Sequence, residues 1–262
     1  VKLRILGAHN LETSSTRMAS VLVDDVLALD AGALTSSLSL SEQGRLHSVL
    51  LTHGHYDHIK DVAALAVSKL YLASTLKVYA PAHTIGIVAT HLLNGAVYPK
   101  FTELPSADNP AVALCPVEPY HRQAVGDYTV LALPVNHTPQ AVGYLVTSKD
   151  GKSLFYSGDS GPGCFASWSH VAGDHVSPQL LLMELTLPNG METFARQTGH
   201  LTPGLLRKEL ADFARMKGYL PPALLVHIGT KFESEIEEEV RQVALEMEAD
   251  IGLSHEGLVV DL

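Results

Sequence analysis

A short apolar run, Ser48 to Leu51, ends in Thr52-His53-Gly54-His55-Tyr56-Asp57-His58, and this junction narrows the fold more than any other feature. Four metal-ligating side chains crowd the stretch from His53 to His58, and the run before them reads as a strand that can hold the loop rigid. The plain alternative is a solvated histidine-rich turn. Three later positions weigh against it: His137 in Pro134-Val135-Asn136-His137, Asp159 in Tyr156-Ser157-Gly158-Asp159, and His227 in Leu225-Val226-His227. Each follows an apolar, strand-like run. Taken singly, such a histidine reads as a hydrogen-bonded packing residue and the Ser-Gly-Asp-Ser stretch as a turn. Together with the first cluster they read as one metal site.

Strand-like runs include Val21 to Val23, Val26 to Leu29, Ser48 to Thr52, Tyr128 to Val135, Val142 to Thr147, Ser153 to Ser157, Gln179 to Glu184 and Ala223 to His227. Helical spacing marks Asp61 to Lys69, Pro81 to Leu93, Thr202 to Met216 and Glu235 to Met247. Thr202-Pro203 is a strong helix start, with a capping hydroxyl followed by proline at the first helical position. Strands precede helices in both halves, which predicts an α/β fold. The Pro-containing stretch from Tyr98 to Tyr120 reads as a long structured connection. No linker, repeat or charge block divides residues 1–262, so a single domain is expected. The acidic run Glu237-Glu238-Glu239 reads as a solvated helix face, with Ile236, Val240, Val243 and Met247 as its core side.

Composition removes several functions. With 46% hydrophobic and 18% charged residues in 262, the chain can bury a large core. Its net charge is −10, and its 18 Lys and Arg are scattered, Arg207-Lys208 being the nearest thing to a cluster. Binding a long polyanion requires a basic surface that displaces counterions, so no long nucleic-acid partner is expected. Cys115 and Cys164 form no disulfide framework, and no long apolar segment follows the strand-like Val1 to Leu6. A cytoplasmic protein without membrane contact is therefore expected. The 14 histidines are the unusual entry in the composition and fit a metal site.

The H-x-H-x-D-H stretch, followed by a histidine, an aspartate and a histidine at strand ends, resembles the metallo-β-lactamase superfamily. The resemblance runs from Leu29-Asp30-Ala31-Gly32 to His227 and implies a four-layer αββα sandwich with its site at the edge of two packed sheets. It further implies that His53, His55 and His137 hold one metal, that Asp57, His58 and His227 hold a second, and that Asp159 bridges them. Two divalent cations, two carboxylates and a bridging hydroxide leave roughly one positive charge, which suits a phosphodiester monoanion. Imidazole and carboxylate ligands suit zinc first, with manganese or iron compatible.

The scissile bond depends on groups beyond the ligands. Glu184, ending a strand in Leu182-Met183-Glu184, and His200, in Gly199-His200-Leu201-Thr202-Pro203, resemble the proton-donating pair of nucleic-acid-cleaving and cyclic-nucleotide-cleaving members. Expelling a ribose oxygen calls for a general acid, and a carboxylate keeps its imidazole oriented and protonated. The plain reading makes Glu184 a strand-end residue and His200 part of a helix cap. tRNA 3′-processing endonucleases share all these residues but insert a gripping arm where this chain has only the interval from His137 to Asp159. Class II cyclic-nucleotide phosphodiesterases lack the arm and share the Gly-His-Leu-x-Pro stretch. The expectation is hydrolysis of 3′,5′-cyclic AMP or GMP by a metal-bridging hydroxide with Asp57, Glu184 and His200 in the catalytic site. A tRNA-processing enzyme and a lactone or thioester hydrolase stand as alternatives. Tyr56, His83, His91, His121 and Thr230 are candidates to line the pocket, without an assigned role, and a homodimer is what related phosphodiesterases suggest.

Overall fold

A computed structural model describes residues 1–163, 165–173 and 176–262. The strands are β1 (Lys2–Gly7), β2 (Ser20–Val23), β3 (Leu27–Leu29), β4 (Ser48–Leu50), β5 (Leu76–Pro81), β6 (Pro105–Ser106), β7 (Asn109–Pro110), β8 (Val112–Val117), β9 (Arg122–Val125) and β10 (Tyr128–Val135). They continue as β11 (Ala141–Ser148), β12 (Ser153–Tyr156), β13 (Leu180–Glu184), β14 (Ala223–Val226), β15 (Ile251–Leu253) and β16 (Val259–Asp261). Among the described residues two seven-stranded sheets form, in the orders β16-β1-β2-β3-β4-β5-β8 and β15-β14-β13-β12-β11-β10-β9. Each is half antiparallel and half parallel. In the first sheet β3, β4, β5 and β8 run parallel, and in the second β12, β13, β14 and β15 do.

Alternation along the strands sorts residues between two faces. Leu3, Ile5, Val21, Val23, Leu27, Leu29 and Leu50 join the core shared with the second sheet, whereas Leu22, Ala28, Val49, Leu51, Val78 and Ala80 join a second core under helices. Helices Leu34–Ser37, Leu40–Arg45, Asp61–Tyr71 and Ala82–Ile87 cover the first sheet. Helices Phe165–Gly173, Pro203–Lys217 and Glu233–Met247 cover the second, completing the αββα layers. Because each sheet is covered on both faces, an inner parallel strand is buried and apolar along its length, as in Leu180 to Met183.

Most expected elements appear within a residue or two, and Thr202 caps the helix Pro203–Lys217 as expected, accepting from the Leu205 N–H at 3.4 Å. Three readings need correction. The connection from Tyr98 to Tyr120 contains the β6–β7 hairpin and β8, an edge strand of the first sheet. Its half-exposed residues and Pro116 interrupt the apolar run, and an edge strand tolerates a proline because one side lacks a partner. The helix expected from Pro81 to Leu93 ends as α-helix at Ile87 and continues as a π-helix, Val88–Leu92. Within the acidic run, Glu239 is not merely solvated, since it accepts the Asn189 N–H at 2.8 Å. Cys115 is a free thiol, while Cys164 lies outside the described residues. Among the described residues, no helix is long and apolar enough to cross a membrane.

Candidate metal centre

Strand order gathers the chemistry on one rim of the sandwich. β4 leads into Thr52 and the histidine loop, β10 into His137, β12 into Asp159, β13 ends on Glu184, and β14 leads into His227. These side chains converge into two overlapping groups, His53, His55, His137 and Asp159, and Asp57, His58, Asp159 and His227, each with ligand atoms within 4.8 Å of one another. Asp159 belongs to both. Its Oδ2 lies 3.8 Å from Nε2 of His53 and of His137 and 3.5 Å from Nε2 of His227, and its Oδ1 lies 3.2 Å from Nε2 of His58. Asp57 Oδ2 stands 3.2 Å from His227 Nε2 and 3.5 Å from His58 Nε2.

Four of the imidazoles are anchored through Nδ1, which leaves Nε2 facing the cluster. His58 Nδ1 donates to Asp30 Oδ2 (2.7 Å), His53 Nδ1 to Thr52 Oγ1 (3.1 Å), His137 Nδ1 to the Gly199 carbonyl (2.8 Å) and His227 Nδ1 to Thr186 Oγ1 (2.8 Å). Asp30 is the deepest support. Fully buried, it also accepts the Thr52 N–H (2.8 Å), the Thr52 hydroxyl (2.9 Å) and the Tyr156 hydroxyl (2.8 Å). Two glycines permit the close approach. At Gly158, with φ 56°, a Cβ would stand 2.6 Å from Thr52 Cβ, and at Gly199, with φ 73°, it would stand 3.0 Å from His137 Nδ1.

The electrostatics favour cation binding. Burial and neighbouring imidazoles hold His53, His55 and His137 below the usual histidine range, so these rings are neutral and free to ligate. Burial opposes charge on Asp159 and Asp57, yet His227 and His58 bring both carboxyls well below their ordinary range and keep them ionised. Nε2 of His53, Nε2 of His58 and Oδ1 of Asp159 are buried without a hydrogen-bond partner. Buried polar atoms rarely stay unpaired, and this set of orphaned imidazole and carboxylate donors fits divalent metal ions.

A profile described as a beta-lactamase superfamily domain matches residues 20–228. The chain belongs to the beta-lactamase superfamily. Within the superfamily, it is 26% identical over 220 residues to a probable 3′,5′-cyclic-nucleotide phosphodiesterase of Yersinia pestis, a match covering 73% of this chain and 61% of that protein. It therefore spans about three fifths of that relative's length. Unliganded yeast PDE1 superposes with a TM-score of 0.84 at 18% identity, covering 100% of this chain and 99% of that one. The short form of human tRNase Z gives a TM-score of 0.69 at 17% identity, covering 100% and 99%. At these identities the structural likeness is one of fold.

The superfamily fold brings together all seven expected ligand residues. Glu184 and His200 form a third group with His227. His200 Nδ1 is 3.6 Å from Glu184 Oε1, close enough for charge but too long for a hydrogen bond, and its nearer partner is Thr186 Oγ1 at 3.2 Å. Burial pushes His200 down, and the charge of Glu184 more than reverses this, raising it to about 9. Tyr56, His83, His91 and His121 are exposed, His121 donating to the Pro119 carbonyl, and Thr230 is half-buried with its N–H on Asn10. Beside His137 lies a cavity of about 260 Å³ walled by Pro81, Pro119, Pro134, Val135 and Val142, with Gln140 at its side.

Sequence reasoning missed Asp30, Thr52, Thr186 and the Gly199 carbonyl. Asp30 carried a usable signal, because it too is an acid directly after an apolar strand. The hydroxyls gave none, since threonine at a strand end is ordinary.

Proposed function

We propose that this protein is a dinuclear-metal phosphodiesterase that hydrolyses 3′,5′-cyclic nucleotides. The observation that carries the reading is the His200, Glu184 and Thr186 cluster beside two ligand groups that share Asp159. A metal site alone serves lactone or thioester hydrolysis, whereas a charged imidazole set against a buried carboxylate serves a poor leaving group such as ribose oxygen. His53, His55 and His137 would hold one cation, Asp57, His58 and His227 the other, and Asp159 both, with zinc as the metal proposed. Bound cations supply an acidified water and offset charge on the phosphoryl oxygens. The chain's own part is to hold that substrate and move the proton. His200 carries the proton for the leaving oxygen, Glu184 keeps it charged, and the apolar cavity beside His137 takes the base. The −10 net charge and scattered basic residues favour a ligand with one phosphate over a polyanion. The same reading takes residues 1–262 as one domain, because both sheets contribute to one core.

A tRNA-processing reading draws support from the fold likeness to human tRNase Z. Against it, the interval between His137 and Asp159 is filled by β11, a turn and β12, paired as a plain hairpin. The test compares cyclic AMP, cyclic GMP, a tRNA precursor and a lactone on one sample of known metal content. Cyclic-nucleotide turnover exceeding the other two classes is expected. Efficient precursor cleavage without cyclic-nucleotide turnover would reverse the ranking. In His200→Ala, kcat for cyclic AMP should fall ~10²–10⁴-fold while bis(p-nitrophenyl) phosphate, whose leaving group departs unaided, is nearly spared. Equal losses at unchanged metal content would remove His200 from the acid role.

A further inference from the structure

One hydroxyl sits where three polar groups of the site meet. Thr186 Oγ1 lies 2.7 Å from Glu184 Oε2, 2.8 Å from His227 Nδ1 and 3.2 Å from His200 Nδ1. A hydroxyl has one proton to give and two lone pairs. Glu184 is fully buried, its Oε1 accepts the Leu201 N–H, and its Oε2 stands as the acceptor nearest to the Thr186 hydroxyl. The Thr186 hydroxyl has a second acceptor in the His227 carbonyl at 3.2 Å, but Glu184 Oε2 is nearer by half an ångström and takes the proton. Both lone pairs are then open to the two imidazoles, so each Nδ1 must carry a hydrogen. For His227 this leaves Nε2 as the lone-pair atom, and Nε2 is the atom that faces Asp57 and Asp159.

We propose that Thr186 is a positioning residue whose single hydroxyl sets the proton positions of His227 and His200 together, taking its direction from Glu184. The inference rests on the metal-binding and acid roles proposed above. It explains why Glu184 stands 3.6 Å from His200 Nδ1 with Thr186 between them. The other sheet repeats the arrangement. Thr52 Oγ1 donates to Asp30 Oδ2 and accepts from His53 Nδ1, so a buried acid again fixes an imidazole through the hydroxyl of a threonine just beyond a strand end. Glu184 thus has two jobs, and losing the hydroxyl disturbs a ligand and an acid at once.

The test compares Thr186→Val, which keeps the shape and removes the hydroxyl, with Thr186→Ser, which keeps the hydroxyl. Zinc affinity is measured by competition with a chelator, and the ring N–H of His227 is followed by NMR in the zinc-loaded protein. The valine variant should lose ~10–100-fold in affinity at the weaker zinc site, the usual effect of removing an outer partner of a ligand. It should also lose the slowly exchanging His227 Nδ1–H signal. The serine variant should keep the signal and stay within about threefold of wild type in zinc affinity. Thr186→Ala replaces valine if that variant does not fold. A hydroxyl-free variant with wild-type affinity and a protected N–H overturns the proposal, as does a serine variant as impaired as valine, which would make Thr186 a packing residue. Neither readout involves a substrate. If zinc and N–H results hold while cyclic nucleotides are not cleaved, the functional reading fails and this one stands.

Discussion

Asp30→Asn probes the support of the site without touching a proposed ligand. The wild-type carboxylate is fully buried and uses Oδ2 for His58 Nδ1 and the Thr52 and Tyr156 hydroxyls, and Oδ1 for the Thr52 N–H. An amide in the same place has one acceptor oxygen. Its best orientation keeps oxygen on the three-donor side and turns NH₂ toward the Thr52 N–H, donor against donor. One charge-assisted bond is lost, worth about 1.5–3 kcal/mol, and a buried N–H is left unpaired at ~1–3 kcal/mol. The expected destabilisation is therefore about 3–5 kcal/mol, the range found when one partner of a buried ion pair is removed. Urea unfolding of metal-free protein, followed by fluorescence of the single, buried Trp168, gives this directly. The midpoint should fall with an unchanged slope. A loss under about 1 kcal/mol would refute the view that Asp30 organises the rim, because two unmatched donors cannot be buried so cheaply.

Asp159→Ala should lower metal content from about two ions per chain to below one, since the residue sits in both groups; one tightly held ion surviving the change would break the shared-ligand arrangement. Gln140→Trp, at the side of the cavity next to His137, should raise KM for cyclic AMP on the order of tenfold and leave bis(p-nitrophenyl) phosphate unaffected, the mark of lost binding to a remote substrate part. Unchanged KM for both would remove the cavity as a base site. Away from the centre, Glu256 accepts His9 Nδ1–H at 2.7 Å and the Arg17 N–H at 2.8 Å, and despite burial these hold it at about 2, below its ordinary 4.5. Its contribution is complete above 4.5 and is lost as pH falls toward 2, whereas His9, raised by Glu256 against the effect of burial, contributes fully below 6.5 and loses its share as pH rises through its raised value. Glu256→Gln should therefore cost about 1–3 kcal/mol at pH 6 in urea unfolding, with the gap to wild type closing as pH falls through the acid window; a gap constant down to pH 2 would show that charge is not involved.

Reading the chain forward recovered what depends on local pattern. The loop from His53 to His58 announces itself because no fold needs so many imidazoles in one turn, and Tyr128–Val135 shows both its length and its buried pattern in composition. The rest depends on distant residues. β8 was hidden because an edge strand with Pro116 has no strict alternation, and its place in the sheet is set by pairing with β5. Asp30 stands 28 positions before His58, and Tyr156 a further 126 positions from Asp30. Only folding shows that one carboxylate serves both. Thr186 was invisible for a different reason, since its importance is a count of protons and lone pairs and not of residue types. Glu184 and His200 were legible as a pair, yet not as a pair with a hydroxyl between them.

The most direct test of the account is zinc titration of metal-stripped protein while cyclic AMP hydrolysis is measured. Activity should be absent without metal and rise to a plateau near two equivalents per chain. Turnover in the stripped protein, a plateau at one equivalent, or no cyclic AMP hydrolysis at two would contradict it.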